Sequence, residues 1–178
     1  MCEYKMKTLR LAGVVRESIV DGPGMRMTIF VQGCPHHCAG CHNPQTHDFS
    51  GGYISHPENL LKAVDSDKLL RGVTFSGGEP FMQADALYPL ADEIHMRGLD
   101  VVTYTGFTYE EITENAEKFP QRMELLKRTD YLIDGRFILE QRSLDLLFRG
   151  SSNQRIIDVE RSLEKGCAVV TTFDNETL

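Results

Sequence analysis

Apolar positions along the chain fall either into short runs or into three-and-four spacings, and the two patterns alternate. The runs at 26–31 (RMTIFV), 72–75 (GVTF), 100–104 (DVVTY) and 131–133 (YLI) read as strands, with 154–159 and 168–172 as the last two. Between them, 60–70 reads as helix. Leu87, Leu90, Ala91 and Ile94 recur at the spacing of one helical face, and Gly98 is placed to stop that helix. Residues 108–128 read as mostly helical with a break at Pro120. No internal repeat, low-complexity tract or linker interrupts the order.

Strand alternating with helix predicts an α/β fold with a parallel sheet and crossover helices. Right-handed crossovers would curl that sheet. A closed barrel of eight such units takes about 250 residues, and a chain of this length supplies about five or six. The expectation is therefore an open partial (β/α) barrel of about five or six parallel strands, forming one domain over 1–178. Reactive groups in such folds gather at the carboxyl ends of the strands. The cysteine loop at 33–48, the turn at Gly77-Gly78, Thr105-Gly106 and Asp134 all follow predicted strands and should converge there.

Composition narrows the setting. The chain is 41% hydrophobic and 25% charged, ordinary for a globular protein, and its formal net charge of −7 comes with no Lys/Arg stripe. That argues against nucleic acid as a partner. No segment is apolar for long enough to span a membrane, and the charged start of the sequence does not read as a secretory signal. Five cysteines, three of them clustered, fit a reducing compartment, so the cytoplasm is expected.

The candidate chemistry sits in the run GCPHHCAGCHNP, which places Cys34, Cys38 and Cys41 within eight residues. Closely spaced thiolates select zinc or iron–sulfur clusters. A four-iron cluster ordinarily takes four cysteines, so three would leave one iron open to a ligand. A Cys3His zinc site is the main rival, because His36, His37, His42 and His47 lie in the same loop. A redox pair at Cys38–Cys41 leaves Cys34 unexplained, and three inert thiols are the plainest alternative. The second motif, Ser76-Gly77-Gly78-Glu79-Pro80, ends a predicted strand. Its glycines would let a ligand approach the main chain, and Glu79 could accept from an ammonium group. Taken alone, that turn is equally a capped strand–helix junction.

Together the two motifs resemble the radical S-adenosylmethionine family, whose signature is CxxxCxxC followed by an aromatic residue or histidine, then a GGEP-like turn. Here these are Cys34, Cys38, Cys41, His42 and Gly77-Gly78-Glu79-Pro80. The run Val20-Asp21-Gly22-Pro23-Gly24-Met25-Arg26, with Gln32-Gly33-Cys34 and Cys41-His42-Asn43-Pro44, is similar to activating enzymes of glycyl-radical enzymes. Tyr104-Thr105-Gly106-Phe107, Asp134-Gly135-Arg136-Phe137 and the run RGSSNQR at 149–155 resemble the branch acting on the anaerobic ribonucleoside-triphosphate reductase.

The resemblance implies that Cys34, Cys38 and Cys41 ligate a [4Fe-4S] cluster whose fourth iron is chelated by the amino and carboxylate groups of S-adenosylmethionine. It implies that Gly77, Gly78 and Glu79 hold the methionine amino end. Gly40, His42 and Asn43, flanking Cys41, would line the adenosine or sulfonium side. Asp134 and Arg136 match a position near the methionine carboxylate and ribose, where related activases carry Lys in place of Arg136. Thr105 is a neighbouring candidate. Strand-end capping and surface pairing are the alternative for Thr105, Asp134 and Arg136. No side chain is assigned acid–base or nucleophilic catalysis. The implied activity is reductive cleavage of S-adenosylmethionine, with the 5′-deoxyadenosyl radical taking hydrogen from a glycine of the reductase. A low-potential donor such as flavodoxin would supply the electron, and homo-oligomers are compatible with this scheme. Rival functions are a small-molecule radical enzyme such as 7-carboxy-7-deazaguanine synthase, a zinc-binding structural module, or a ferredoxin-like carrier. Cys2 and Cys167 belong to none of these motifs, and a structural role is expected of both.

Overall fold

A computed structural model describes residues 6–173. Eight strands form one mixed sheet in the order β3-β1-β2-β4-β5-β6-β7-β8. The strands are β1 (Leu9–Ser18), β2 (Arg26–Val31), β3 (Tyr53–Ser55), β4 (Gly72–Gly77), β5 (Asp100–Tyr104), β6 (Tyr131–Asp134), β7 (Arg155–Asp158) and β8 (Val170–Thr171). The helices are α1 (Pro57–Ser66), α2 (Ala84–His95), α3 (Tyr109–Glu114), α4 (Pro120–Leu126) and α5 (Val159–Lys165).

The α/β class is as expected, but the expectation of five or six parallel strands is corrected. Only β2, β4, β5 and β6 run parallel. On one side β1 pairs antiparallel with β2 and with β3; on the other, β7 pairs antiparallel with β6 and with β8. The connections explain the change. A parallel neighbour needs a crossover, usually a helix, whereas an antiparallel neighbour does not. The β1–β2 link is only the short DGPG loop, and the β6–β7 link holds no α-helix, only a 3-10 turn at Leu139–Gln141. Two strands, β1 and β3, escaped the hydrophobic pattern. In β1 only Leu9 and Leu11 are buried apolar residues before the pairing shifts register at Gly13, and β3 is three residues long at the sheet edge.

The other elements follow the pattern closely. In α2 the face formed by Ala84, Leu87, Leu90, Ala91 and Ile94 is buried, and Gly98, at φ 74°, ends the segment. The expected break falls at Pro120, which opens α4 as its first residue, the helical position where a missing N–H costs nothing. Between them Thr108 caps α3 in a full capping box with Glu111.

The amino ends of the central strands are tied by Arg26, whose side chain is wholly buried. Its Nε donates to Thr74 Oγ1 (2.8 Å), its Nη1 to the Pro23 carbonyl (3.0 Å), and its Nη2 to the Val73 carbonyl (3.0 Å) and the Asp100 carboxylate. One cation thus stitches β2, β4, β5 and the DGPG loop. The glycines around it are there for room: a Cβ on Gly22 would stand 2.8 Å from Arg26 Cδ, and one on Gly72 2.5 Å from Arg26 Nη2. From Gly22 to Arg26 the DGPGMR run is therefore a packing motif at the amino ends of the strands, while its Asp21 borders the cavity that the cysteines line. Replacing Arg26 with Met would remove a donor from each of the Pro23 and Val73 carbonyls and from Thr74 Oγ1. Arg26→Met is expected to lower unfolding free energy by about 3 kcal/mol, read as a reduced urea midpoint at unchanged slope. Asp100→Asn, which keeps an acceptor on a partly exposed side chain, should cost about 1 kcal/mol or less.

Candidate metal centre

Strand β2 runs straight into the cysteine loop, and the neck of that loop is closed by hydrogen bonds. Gly33 N–H donates to the Thr46 carbonyl (2.8 Å) and Cys34 N–H to the His47 carbonyl (3.2 Å). The buried Gln32 side chain donates to the carbonyls of Gln45 (3.0 Å) and Asp48 (2.6 Å). At the far end Cys41 N–H donates to the Cys38 carbonyl (3.2 Å), and Asn43 N–H points at Cys41 Sγ (3.4 Å). Gly40, at φ 71°, makes that turn.

Cys34, Cys38 and Cys41 all line one cavity of about 680 Å³. Cys34 is the buried one of the three. Burial, reinforced by the charges of Glu79 and Cys38 and opposed by the backbone N–H groups of His36 and His37, pushes its thiol up to about 11. Without a metal Cys34 is protonated at neutral pH, so ligation there must release a proton. The donor set is soft and its geometry is spread. Among the described residues no three His, Cys, Asp or Glu side chains gather tightly enough to hold a single metal ion. A polynuclear cluster needs no such gathering, because each thiolate binds a different iron. Three thiols on the wall of a cavity of this size fit a cluster with a small molecule beside it.

The Gly-Gly turn docks on the root of the cysteine loop. Gly78 N–H donates to the Val31 carbonyl (2.8 Å) and Glu79 N–H to the Gly33 carbonyl (2.9 Å). A Cβ on Gly77 would lie 2.7 Å from Phe30 Cα, and one on Gly78 2.5 Å from the Gly33 carbonyl oxygen. Both glycines are thus required by backbone-to-backbone packing, a reason distinct from ligand access. Glu79 is completely buried, and its carboxylate is fully occupied by protein donors. Oε1 accepts from Phe81 N–H (3.0 Å) and Thr105 Oγ1 (2.9 Å). Oε2 accepts from Gly106 N–H (2.8 Å) and His36 Nε2 (2.8 Å). One side chain therefore joins the turn after β4, the loop after β5 and the cysteine loop.

The expected site residues separate into two groups. His42, Asn43, Gly77, Gly78 and Thr105 line the cavity together with the three cysteines. Gly40, Glu79, Asp134 and Arg136 do not. Gly40 backs onto Leu139, whose Cδ1 would stand 2.8 Å from an added Cβ. The expected acceptor role of Glu79 toward an ammonium is corrected to that of a buried crosslink, since its four donors leave no free lone-pair direction. Asp134 caps α3 through Tyr109 N–H (2.8 Å) and pairs with Arg155, whose Nε donates to Asp134 Oδ1 (2.9 Å). For Asp134, strand-end capping is what the structure shows. Arg136 is exposed, and its carbonyl accepts from Asn153 Nδ2 (2.8 Å). After β6 the residues alternate, with Gly135 and Phe137 on the cavity and Asp134 and Arg136 turned away from it.

Two contributors were not among the expected cofactor-contacting residues. His36 bonds Glu79 and packs edge-on against Phe107, with ring centroids 4.6 Å apart. The segment 149–154 supplies another wall. There Gln154 Oε1 accepts from Gly150 N–H (2.9 Å) and Gln154 Nε2 donates to the Gly135 carbonyl (3.0 Å). The available signal was the polar run RGSSNQR placed immediately before a strand. Cys167 is exposed past α5, away from the cavity, and Cys2 lies outside the described residues.

Residues 20–157 match a family model described as a 4Fe-4S single cluster domain. The chain is 36% identical over 146 residues to an anaerobic ribonucleoside-triphosphate reductase-activating protein of Vibrio cholerae, covering 78% of this chain and 90% of that one. The protein of the same name from Escherichia coli K12 is 31% identical, over 76% of this chain and 90% of that one. A pyruvate formate-lyase-activating enzyme of Clostridium pasteurianum is 36% identical over 61% of this chain and 49% of its own length.

The packing sets two expectations. Gly78→Ala pushes the Gly33 backbone, directly before Cys34, away from the Gly-Gly turn, so it should cost about 2–3 kcal/mol; the reconstituted protein should also retain less iron by colorimetric assay. In Glu79→Gln, either amide orientation turns an NH2 toward a backbone N–H, that of Phe81 or that of Gly106. A loss of about 2 kcal/mol is expected, seen as a lowered thermal midpoint with reconstituted and metal-free protein alike.

Proposed function

The chain belongs to the anaerobic ribonucleoside-triphosphate reductase-activating proteins, enzymes of the radical S-adenosylmethionine class, and we propose that it installs a glycyl radical on that reductase. The observation that carries this reading is the arrangement of three thiols, and no fourth nearby cysteine, on the wall of a cavity shared with the Gly77-Gly78 turn. Cys34, Cys38 and Cys41 would hold a [4Fe-4S] cluster with S-adenosylmethionine as the remaining ligand. Once bound, that pair supplies reductive C–S cleavage and a 5′-deoxyadenosyl radical able to take hydrogen from a glycine of the reductase.

The protein's own residues bind, orient and exclude water. The neck bonds at Gly33, Cys34 and Gln32 fix where the thiols emerge. The Glu79 crosslink keeps the turn at Gly77-Gly78 and the loop at Thr105-Gly106 at constant separation from the cysteine loop. His42, tilted against Phe137 at 5.0 Å between centroids, and Asn43 offer an aromatic and a polar surface on the adenosine side. In the proposed mechanism these groups act by positioning, while the cofactor carries the difficult step.

Loops after β2, β4, β5 and β6 all reach this one cavity, which supports a curled, partly open sheet. Exposed Val20 and Leu144 lie on its rim, leaving a lateral entrance that a glycine-bearing loop of the partner can use. All described strands join one sheet, which supports reading 1–178 as a single domain. No helix among the described residues is long and apolar enough to cross a membrane. A cytoplasmic setting with a low-potential donor such as flavodoxin completes the proposal.

The test is anaerobic. Reconstituted protein, a reductant, S-adenosylmethionine and the reductase together should yield a glycyl EPR doublet on the reductase. Cys38→Ala should lose cluster iron and the doublet. Cleavage of S-adenosylmethionine without any doublet would sink the activase reading, and colourless protein carrying zinc would sink the cluster itself.

A further inference from the structure

The cavity wall contains an arginine whose hydrogen bonding is incomplete. Arg149 Nη1 donates to the Gln154 carbonyl (3.2 Å), while its Nε is buried with no partner. Among the described residues no carboxylate pairs with it. The Nε is shut off from the cavity, but the residue lines the wall and its guanidinium commits only Nη1 to the protein, so an uncompensated positive charge is left facing the space a ligand would fill.

The position is held firmly. Tyr104 Oη donates to the carbonyl of the preceding residue, Phe148 (2.8 Å), and Phe148 itself is kept at φ 56°, a conformation unusual for a side chain of that size. Gly150 N–H is fixed by Gln154. A Cβ on Gly150 would meet His42 Cε1 at 3.2 Å, so this segment touches the residue directly after Cys41. The guanidinium is therefore carried beside the proposed cluster loop on a backbone with little freedom.

Of the other charged groups on the wall, Asp21 has the wrong sign for an anion and Arg142 is the more strongly solvated cation. Asp21 Oδ2 already accepts from Ser18 Oγ (2.6 Å) and Thr28 Oγ1 (3.0 Å), and Arg142 is solvent-exposed. Arg136, the arginine singled out by sequence resemblance, lies outside the cavity. S-adenosylmethionine carries a sulfonium, an ammonium and a single anion, its carboxylate. We propose that Arg149 binds the carboxylate of S-adenosylmethionine, in the role that the sequence assigned to Arg136. This rests on the proposed function. A guanidinium offers charge-assisted N–H donors in a planar fork suited to a carboxylate.

The test is binding, independent of turnover. Cluster-loaded protein is titrated by anaerobic calorimetry with S-adenosylmethionine and with its decarboxylated analogue, S-adenosyl-3-(methylthio)propylamine. Arg149→Met should keep its iron, weaken S-adenosylmethionine about ten- to a hundredfold, and leave the analogue's affinity unchanged. Arg149→Lys, which keeps the charge and loses the fork, should fall between. Arg136→Met should bind both ligands as the unaltered protein does. The assignment is overturned if Arg149→Met binds S-adenosylmethionine normally, or if both ligands weaken equally. It is also overturned if every substitution at 149 abolishes iron loading, which would make the residue structural. Unaltered protein that binds neither ligand would instead sink the proposed function, which keeps the two failures distinguishable.

Discussion

The buried carboxylate of Glu79 is the constraint on which the site depends. It receives four donors from three separate segments: Phe81 in its own turn, Thr105 and Gly106 after β5, and His36 in the cysteine loop. Bringing a carboxylate wholly out of water is costly unless its lone pairs are filled. Here they are, and two of the donors are backbone N–H groups that would otherwise be orphaned themselves. The segments are coupled through one group: none of the three can move without leaving part of the buried carboxylate unsatisfied. A loop of three thiols has little reason of its own to hold one shape, and this crosslink supplies one.

Arg26 does the complementary work at the other end of the same strands. Its contacts reach β4 and the start of β5. The central parallel strands are thus clamped at their amino ends by a buried cation and at their carboxyl ends by a buried anion. Both are satisfied in part by backbone groups, and a buried charge is tolerated when hydrogen bonds fill its remaining sites. The apolar core between them, with Ile29, Val73, Phe75 and Val101 fully buried, sets the spacing of the strands. The two polar clamps set what lies beyond their ends.

The glycines near both clamps follow from this closeness. Gly72 leaves space for the Arg26 guanidinium, and Gly78 leaves space for the Gly33 carbonyl directly before Cys34. A motif that reads as a ligand cradle is, at the level of atoms, first a place where two stretches of main chain nearly touch. The ligand surface is what remains on the outer side of that contact.

Much was legible from local pattern. The central strands, the α2 face, the Pro120 break and the three clustered cysteines were all readable, because periodicity, proline and residue spacing act over a few neighbours. Tertiary structure decided the rest. Whether a strand pairs parallel or antiparallel depends on how its connection folds, so the edge pairings of β1, β3, β7 and β8 were not in the pattern. Whether a polar residue at a strand end faces a cavity or the protein depends on one bond rotation and on what lies opposite. Hence Glu79 and Asp134, chosen for their chemistry, turn inward to donors supplied by distant segments. Arg149, unremarked in its polar run, is left on the wall with an N–H to give. The sequence determined which chemistry was present; contacts between residues far apart along the chain determined which of those groups were left free to use it.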